Sequence, residues 1–330
     1  EAPYGRGPRE YPSDPLGGWI GGAPGPEPWN INALFVKLHR NRKSLCLDLK
    51  KAQARKIFLE LVALADVVVE NFSARAMPSM GLGYAALRRA NEKIIYVSMP
   101  GYGMSGPYRD RVAFGPTVEP LSGLTQMLGY SSEEPRNSAM ALMDPIAATQ
   151  AAAAVTDALM QRAETGEGCL IEMSLHEGGV TYSAPWLVDE QLGQRPQCMG
   201  NRHPAMAPHG IYPSKGEDCW VAIACKNDEQ WRALCNLIGH PEKSNLALSE
   251  RIEQHDEIDD MICAWSLIRT NQEATALLQD YTIAAGPVNN AADITEDQQV
   301  RARQFFVPFE RFNTPIPGHS IQMGGIQRNT

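Results

Sequence analysis

Three short apolar runs constrain this 330-residue chain most: "DVVVE" (66–70), "KIIYVSM" (93–99) and "CLIEMSL" (169–175). Each is short, bounded by polar or turn residues, and rich in β-branched side chains, which suits a strand buried in a parallel sheet. Helical patterns alternate with them. "KAQARKIFLELVALA" (51–65) places Ile57, Leu61 and Leu64 on one face, and a second helix is expected near Tyr84–Ala90. Strand–helix–strand repetition predicts an α/β fold with a largely parallel sheet. "NRKSLCLDL" (41–49) reads as a turn followed by one more strand.

The longest helix is expected to follow Asp144, with Pro145 at its first position, and to reach Ala163, with Gly166 and Gly168 stopping it. Residues 176–190 read as helical, and 191–210 are irregular and proline-bearing. Beyond them come two strands, "GIYPS" and "CWVAIAC", a helix capped at Asn227–Asp228, and helices over 254–269 and 271–284. The expected division is a large domain over 1–190 carrying Asp144, a linker over 191–209, a small α+β domain over 210–297, and a return segment over 298–330.

With 43% hydrophobic residues the chain can bury a large core, and no apolar run approaches a bilayer span. The opening residues, rich in Pro, Gly and charge, do not read as a signal peptide. A formal net charge of −8 disfavours general nucleic-acid binding, so an anionic ligand needs local positive groups. Seven scattered cysteines without a C-x-x-C give neither a zinc site nor a disulfide framework, and a reducing cytoplasm is expected. The seven histidines never reach metal-ligand spacing; His203 and His209 read as loop residues.

Four motifs carry possible chemistry. "GYGMSG" (101–106) follows a strand and fits the dinucleotide pattern, but that mechanism needs a helix to open at the loop. Pro107 follows at once and Gly115–Pro116 limit any helix, so a nicotinamide site is not expected. Asp144, ahead of Pro145 and a run of alanines, has the form of an N-cap. A carboxylate kept ionised by a helix N-terminus is also a nucleophile toward an activated acyl group, so the two readings are compatible. Ala147, Ala148, Ala151 and Ala152 are read as leaving room for a bulky group. In "VVVENFSARAMPSMGLG" (67–83) the strand ends in Glu70-Asn71-Phe72, where an amide and a stacking face stand at a strand end. "HRNRKS" (39–44) is a basic cluster that suits either a solvated turn or phosphates.

In order along the chain, "NRKSLCLDLK", "DVVVENF", "MGLGYAAL", "GYGMSGPYRDR", the Asp144 stretch, "TGEGCLIEMSLHEG" and "NRHPAMAPHGIYPSKGED" resemble the class III CoA-transferases, the formyl-CoA:oxalate and carnitine CoA-transferase family. The resemblance implies a Rossmann-like large domain, a small α+β domain and an interlocked homodimer. It implies coenzyme A, delivered as acyl-CoA, and a small carboxylic acid as partners, without metal, nicotinamide, nucleic acid or membrane. Asp144 falls on the nucleophilic aspartate. Leu47, Lys50, Asn71, Phe72 and Met80 fall on coenzyme contacts.

Departures are specific. Ser79 stands where an Arg often holds a coenzyme phosphate, Val112 where some members have Lys, and Arg75 is an unusual residue that replaces lost charge. Family members carry a first strand–helix unit ahead of a stretch like "EAPYGRGPRE" and a further C-terminal segment, so the chain reads as truncated at both ends. Related racemases need a His-Asp pair ahead of the nucleophile-equivalent Asp. "VAFGPTVE" (112–119) has no histidine, which favours transfer over proton exchange.

Overall fold

The structure is a computed structural model that describes residues 18–20, 22, 31–131, 133–138, 140–194, 198–309 and 314–322. Contacts divide the chain into two units, Glu1–Asp48 with Val288–Thr330, and Leu49–Pro287.

The first unit contains a short helix, Ala33–Leu38, whose N-cap Asn32 accepts a hydrogen bond from the Phe35 N–H at 3.0 Å. Helices Ala291–Glu296 and Gln298–Ala302 lead into an antiparallel hairpin in which Val307 faces Ile316.

The second unit holds the sheet that the apolar runs predict. β1 (Val67–Glu70), β2 (Ile95–Ser98) and β3 (Leu170–Glu172) are parallel, in that order. Only β2 is buried throughout. Among the described residues β1 and β3 are the edges of this sheet, and each carries an exposed apolar side chain, Val69 and Leu170. Side chains alternate across a strand, so β2 feeds two cores. Ile95 and Val97 pack on Ala151 and Ala158 of a long helix, Met143–Thr165. Ile94 and Tyr96 pack on Val62 and Leu87 of helices Ala52–Val62 and Tyr84–Ala90. Helices therefore cover both faces, the arrangement a parallel sheet requires. Arg162 ties the far end of the long helix to the sheet, donating to the carbonyls of Asp66 and Lys93 and pairing with the Asp66 carboxylate at 2.7 Å.

A second sheet is antiparallel: β4 (His209–Pro213), β5 (Trp220–Ala224) and β6 (Ala284–Pro287). Trp231, Leu234, Ile258, Ile262 and Leu278 pack against Tyr212, Val221 and Ile223 to form its core. Asn227 caps helix Asp228–Ile238 as expected, accepting from the Gln230 N–H at 2.9 Å.

Several expectations change. Residues 42–48 form no strand and have no regular secondary structure. The long helix continues to Thr165 before Gly166 closes it in a left-handed conformation. Residues 176–190 form two helices, Leu175–Tyr182 and Ala184–Gln191, because Pro185 in the first turn of the second cannot continue a helix. The helix expected over 271–284 ends at Asp280, and Thr282 (φ 59°) turns the chain into β6.

Candidate active site

Every strand of a parallel sheet ends on the same side, and ligands gather there. Glu70, Ser98 and Glu172 end β1, β2 and β3 in register. The Glu70 carboxylate accepts from the Tyr96 hydroxyl at 2.9 Å, from the Ser98 hydroxyl, and from the Phe72 N–H at 2.7 Å. Burial, and secondarily the Glu70 charge, pushes the Tyr96 pKa well up, so this phenol remains a donor. Glu70 thus fixes how the chain leaves β1 and holds Asn71 and Phe72 at the exposed strand end.

Glu172 does the same for the glycine loop after β2, accepting from the Met104 N–H at 2.6 Å. Ser174 caps helix Leu175–Tyr182 and donates to the Gly101 carbonyl, which also accepts from the His176 N–H at 3.0 Å. Residues 101–114 run through turns, bends and irregular chain. Gly115 and Pro116, expected to stop a helix, instead open a one-turn helix, Gly115–Val118.

Asp144 is not the N-cap. Met143 is completely buried among Val118, Leu124 and Leu175, and this packing starts the helix two residues earlier, with Leu142 at the cap position. Asp144 therefore lies inside the first turn and makes no capping hydrogen bond. Its side chain is exposed but set close against Gly115: a methyl on Gly115 would stand 2.6 Å from Asp144 Oδ2 and 3.2 Å from Ala141 Cβ. Partial loss of water around the carboxyl pushes its pKa above the ordinary aspartate value. The helix N-terminus acts in the opposite sense, favouring the anion. The expected alanine face is half correct: Ala148 and Ala152 are exposed, whereas Ala147 and Ala151 are buried in the cores under the sheet and around Met143.

Glu119 is completely buried and accepts from the N–H and hydroxyl of Ser138 at 2.6 and 2.5 Å. It anchors the segment that leads into Asp144. An acid followed by proline gives little sign of burial, so only its partner reveals this role.

Among the candidate coenzyme contacts, Asn71 and Phe72 are exposed, and Met80 is half-buried at the end of the short helix Ala76–Ser79. Lys50 is exposed, and its carbonyl accepts from Arg55 at 2.8 Å. Leu47 is half-buried in the first unit. Arg75 grips Asp110 with two parallel bonds, Nε–Oδ1 and Nη2–Oδ2, both 2.5 Å. Arg109 approaches the same carboxylate at 3.5 Å, and Arg111 stacks 3.7 Å above the Tyr108 ring. The Arg75 guanidinium lowers the Asp110 pKa. Ser79 donates to the Ala76 carbonyl at 2.8 Å.

A cleft of about 470 Å³ opens between the glycine loop and helix Leu175–Tyr182, lined by Tyr102, Tyr108, Glu172, His176 and Glu177 among others. None of the seven candidate residues lines it. Among the described residues no cluster of His, Cys, Asp and Glu could hold a metal ion, and no helix is long and apolar enough to cross a membrane.

The chain is 31% identical over 304 residues to succinyl-CoA–D-citramalate CoA-transferase of Chloroflexus aurantiacus, covering 88% of this chain and 75% of that one. It is 31% identical over 310 residues to acetyl-CoA:oxalate CoA-transferase of Acetobacter aceti, covering 91% and 78%. The crystal structure of a CAIB/BAIF family protein from Brucella suis superposes with a TM-score of 0.82 at 27% identity, over 89% of this chain and 78% of that one. The sequence profile described as CoA-transferase family III matches residues 19–329, so nearly all of the chain, the Asp144 helix included, lies within the match. The chain belongs to CoA-transferase family III.

Proposed function

We propose that this chain moves coenzyme A from an acyl-CoA thioester to a free carboxylic acid, with Asp144 as the nucleophile. The observation that carries the reading is an exposed carboxyl in the first turn of a long helix, uncommitted to capping and flanked by a glycine. An Asp144 oxygen attacks the thioester carbonyl. The C–S bond breaks, the thiolate leaves, and a mixed anhydride remains. The thiolate then attacks the aspartyl carbonyl, releasing the first acid as its carboxylate and leaving an aspartyl–coenzyme A thioester. The acceptor carboxylate attacks that thioester to give a second anhydride. The returning thiolate opens it at the new acyl carbon and regenerates Asp144. Each step exchanges one acyl bond for another of similar energy, and no proton is gained or lost overall. Backbone N–H groups at the helix N-terminus suit the developing oxyanions.

Leu47, Lys50, Asn71, Phe72, Arg75 and Met80 are proposed as coenzyme contacts. Binding far from the reacting carbon supplies orientation at the thioester. The Rossmann-like large domain, the small domain after residue 209 and the interlocked homodimer belong to the same proposal. Exposed Val112, Phe114, Tyr130 and Met140, on the stretch leading to Asp144, favour self-association.

Incubation with an acyl-CoA and hydroxylamine tests the mechanism. Aspartyl hydroxamate is expected at residue 144, and Asp144→Asn is expected to abolish both trapping and transfer while retaining coenzyme A binding. Turnover by that variant, or wash-in of solvent deuterium at the α-carbon without trapping, overturns the assignment.

A further inference from the structure

The chain carries a net charge of −8, yet two arginines share one acid on the segments that follow β1 and β2, and a third arginine stands next to that acid in sequence. Arg75 holds Asp110 with both edges of its fork aligned, and Arg109 shares the carboxylate. Arg111, stacked on Tyr108, adds a third cation next in sequence. A phosphate presents the same pair of oxygens that the carboxylate offers, and Arg binds either in this bidentate way. The pair is open to solvent: 68% of the Arg75 side chain and 47% of the Asp110 side chain are exposed, so an incoming anion meets no packing barrier. Ser79 and Val112, on the same two loops, bring no charge of their own, and Ser79 bonds its own helix.

We propose that Asp110 is an internal competitor for Arg75: a coenzyme phosphate displaces the Asp110 carboxylate from the guanidinium, so Asp110 sets the affinity for acyl-CoA and its dependence on salt. The inference rests on the coenzyme A reading above and adds a determinant to it. Removing the Asp110 charge frees Arg75, the guanidinium that holds both carboxylate oxygens. The site then attracts anions more strongly, and more steeply as ionic strength falls. A competing exposed ion pair is weak, so the expected gain is about two- to fivefold in affinity.

Calorimetric titration with coenzyme A, at low and at physiological salt, tests this in four proteins: wild type, Asp110→Asn, Arg75→Ala and the double variant. Thermal melts confirm that each is folded. Asp110→Asn should bind about two- to fivefold more tightly than wild type, with the larger gain at low salt. Arg75→Ala should bind more weakly. In the Arg75→Ala background, Asp110→Asn should give no gain. Weaker binding by Asp110→Asn would make the pair a latch that shapes the loops, and unchanged binding would make it a passive surface pair; either overturns the proposal. A gain that persists without Arg75 overturns it too, since the effect would then be a general field. Failure of wild type to bind coenzyme A overturns the functional reading and this inference with it. Binding that ignores Asp110 overturns this inference alone.

Discussion

At the scale of single residues, Asp144 and Gly115 act as a pair. Gly115 has no positive φ, so its value lies in the missing side chain rather than in backbone freedom. Gly115→Ala would push a methyl into the Asp144 carboxyl and turn it from its line of attack. Small misplacements of a reacting group are costly, so kcat should fall by at least about tenfold. KM for acyl-CoA should change little, because the methyl touches none of the proposed coenzyme contacts. Steady-state kinetics on the variant checks both, and an unchanged kcat would separate Asp144 from the chemistry. The carboxyl's pKa also predicts a pH dependence. Its folded value is raised above the ordinary one, so the reactive anion is lost as pH falls through a value higher than that of a free aspartate. The acid limb of kcat/KM should therefore lie above the usual aspartate range. The same shift means that the fold binds this proton more tightly than the unfolded chain does. Stability then declines as pH rises from the ordinary value through the raised one, and the penalty persists at neutral pH. Asp144→Asn removes it, so a melt at neutral pH should show a Tm no lower than wild type, in a protein that no longer transfers.

At the scale of elements, the question is how the Asp144 turn is held. Met143 anchors it from below and Glu119 from upstream. Glu119→Ala removes the charged acceptor of the half-buried Ser138 N–H and hydroxyl, and a hydrogen bond to a charged group is typically worth about 1.5–3 kcal/mol. Denaturant unfolding should show that loss, and transfer should fall with it as the approach to Asp144 loosens. Glu119→Gln keeps one acceptor oxygen and should recover much of both; equal damage from the two variants would mean that the charge, not the bond, matters. How legible these elements were follows from the range of the forces that form them. The strands 67–70 and 95–98, the Asn227 cap and the course of the long helix depend on local pattern, and the sequence shows them directly. The start of the long helix depends on Met143 meeting Leu175, more than thirty residues away, so capping rules alone put it two residues late. The break at Ser183 and strand Ala284–Pro287 were missed for the same reason: β6 exists because β5 offers it a ladder, not because "AAGP" favours extension. The roles of Glu70, Glu119 and Glu172 depend on partners far along the chain, and the Arg75–Asp110 pair spans thirty-five positions.

At the scale of the whole molecule, charge and exposed apolar surface pull in different directions. A net charge of −8 keeps copies apart at long range, whereas Val112, Phe114, Tyr130 and Met140 present apolar side chains to solvent. Charge repulsion is screened within about 8 Å at physiological ionic strength, while apolar burial is not screened at all. If these residues meet a second copy, self-association should strengthen with added salt rather than weaken. Sedimentation equilibrium should then give twice the chain mass, with dissociation favoured at low salt. Met140 stands four residues ahead of Asp144, so Met140→Asp should shift the chain toward monomer. It should also lower transfer at enzyme concentrations where wild type is dimeric, and raising the concentration should restore part of it. A wild-type chain that sediments as a monomer and still transfers coenzyme A would remove the dimer from the mechanism. A Met140→Asp variant that stays dimeric would place the contact elsewhere on the surface.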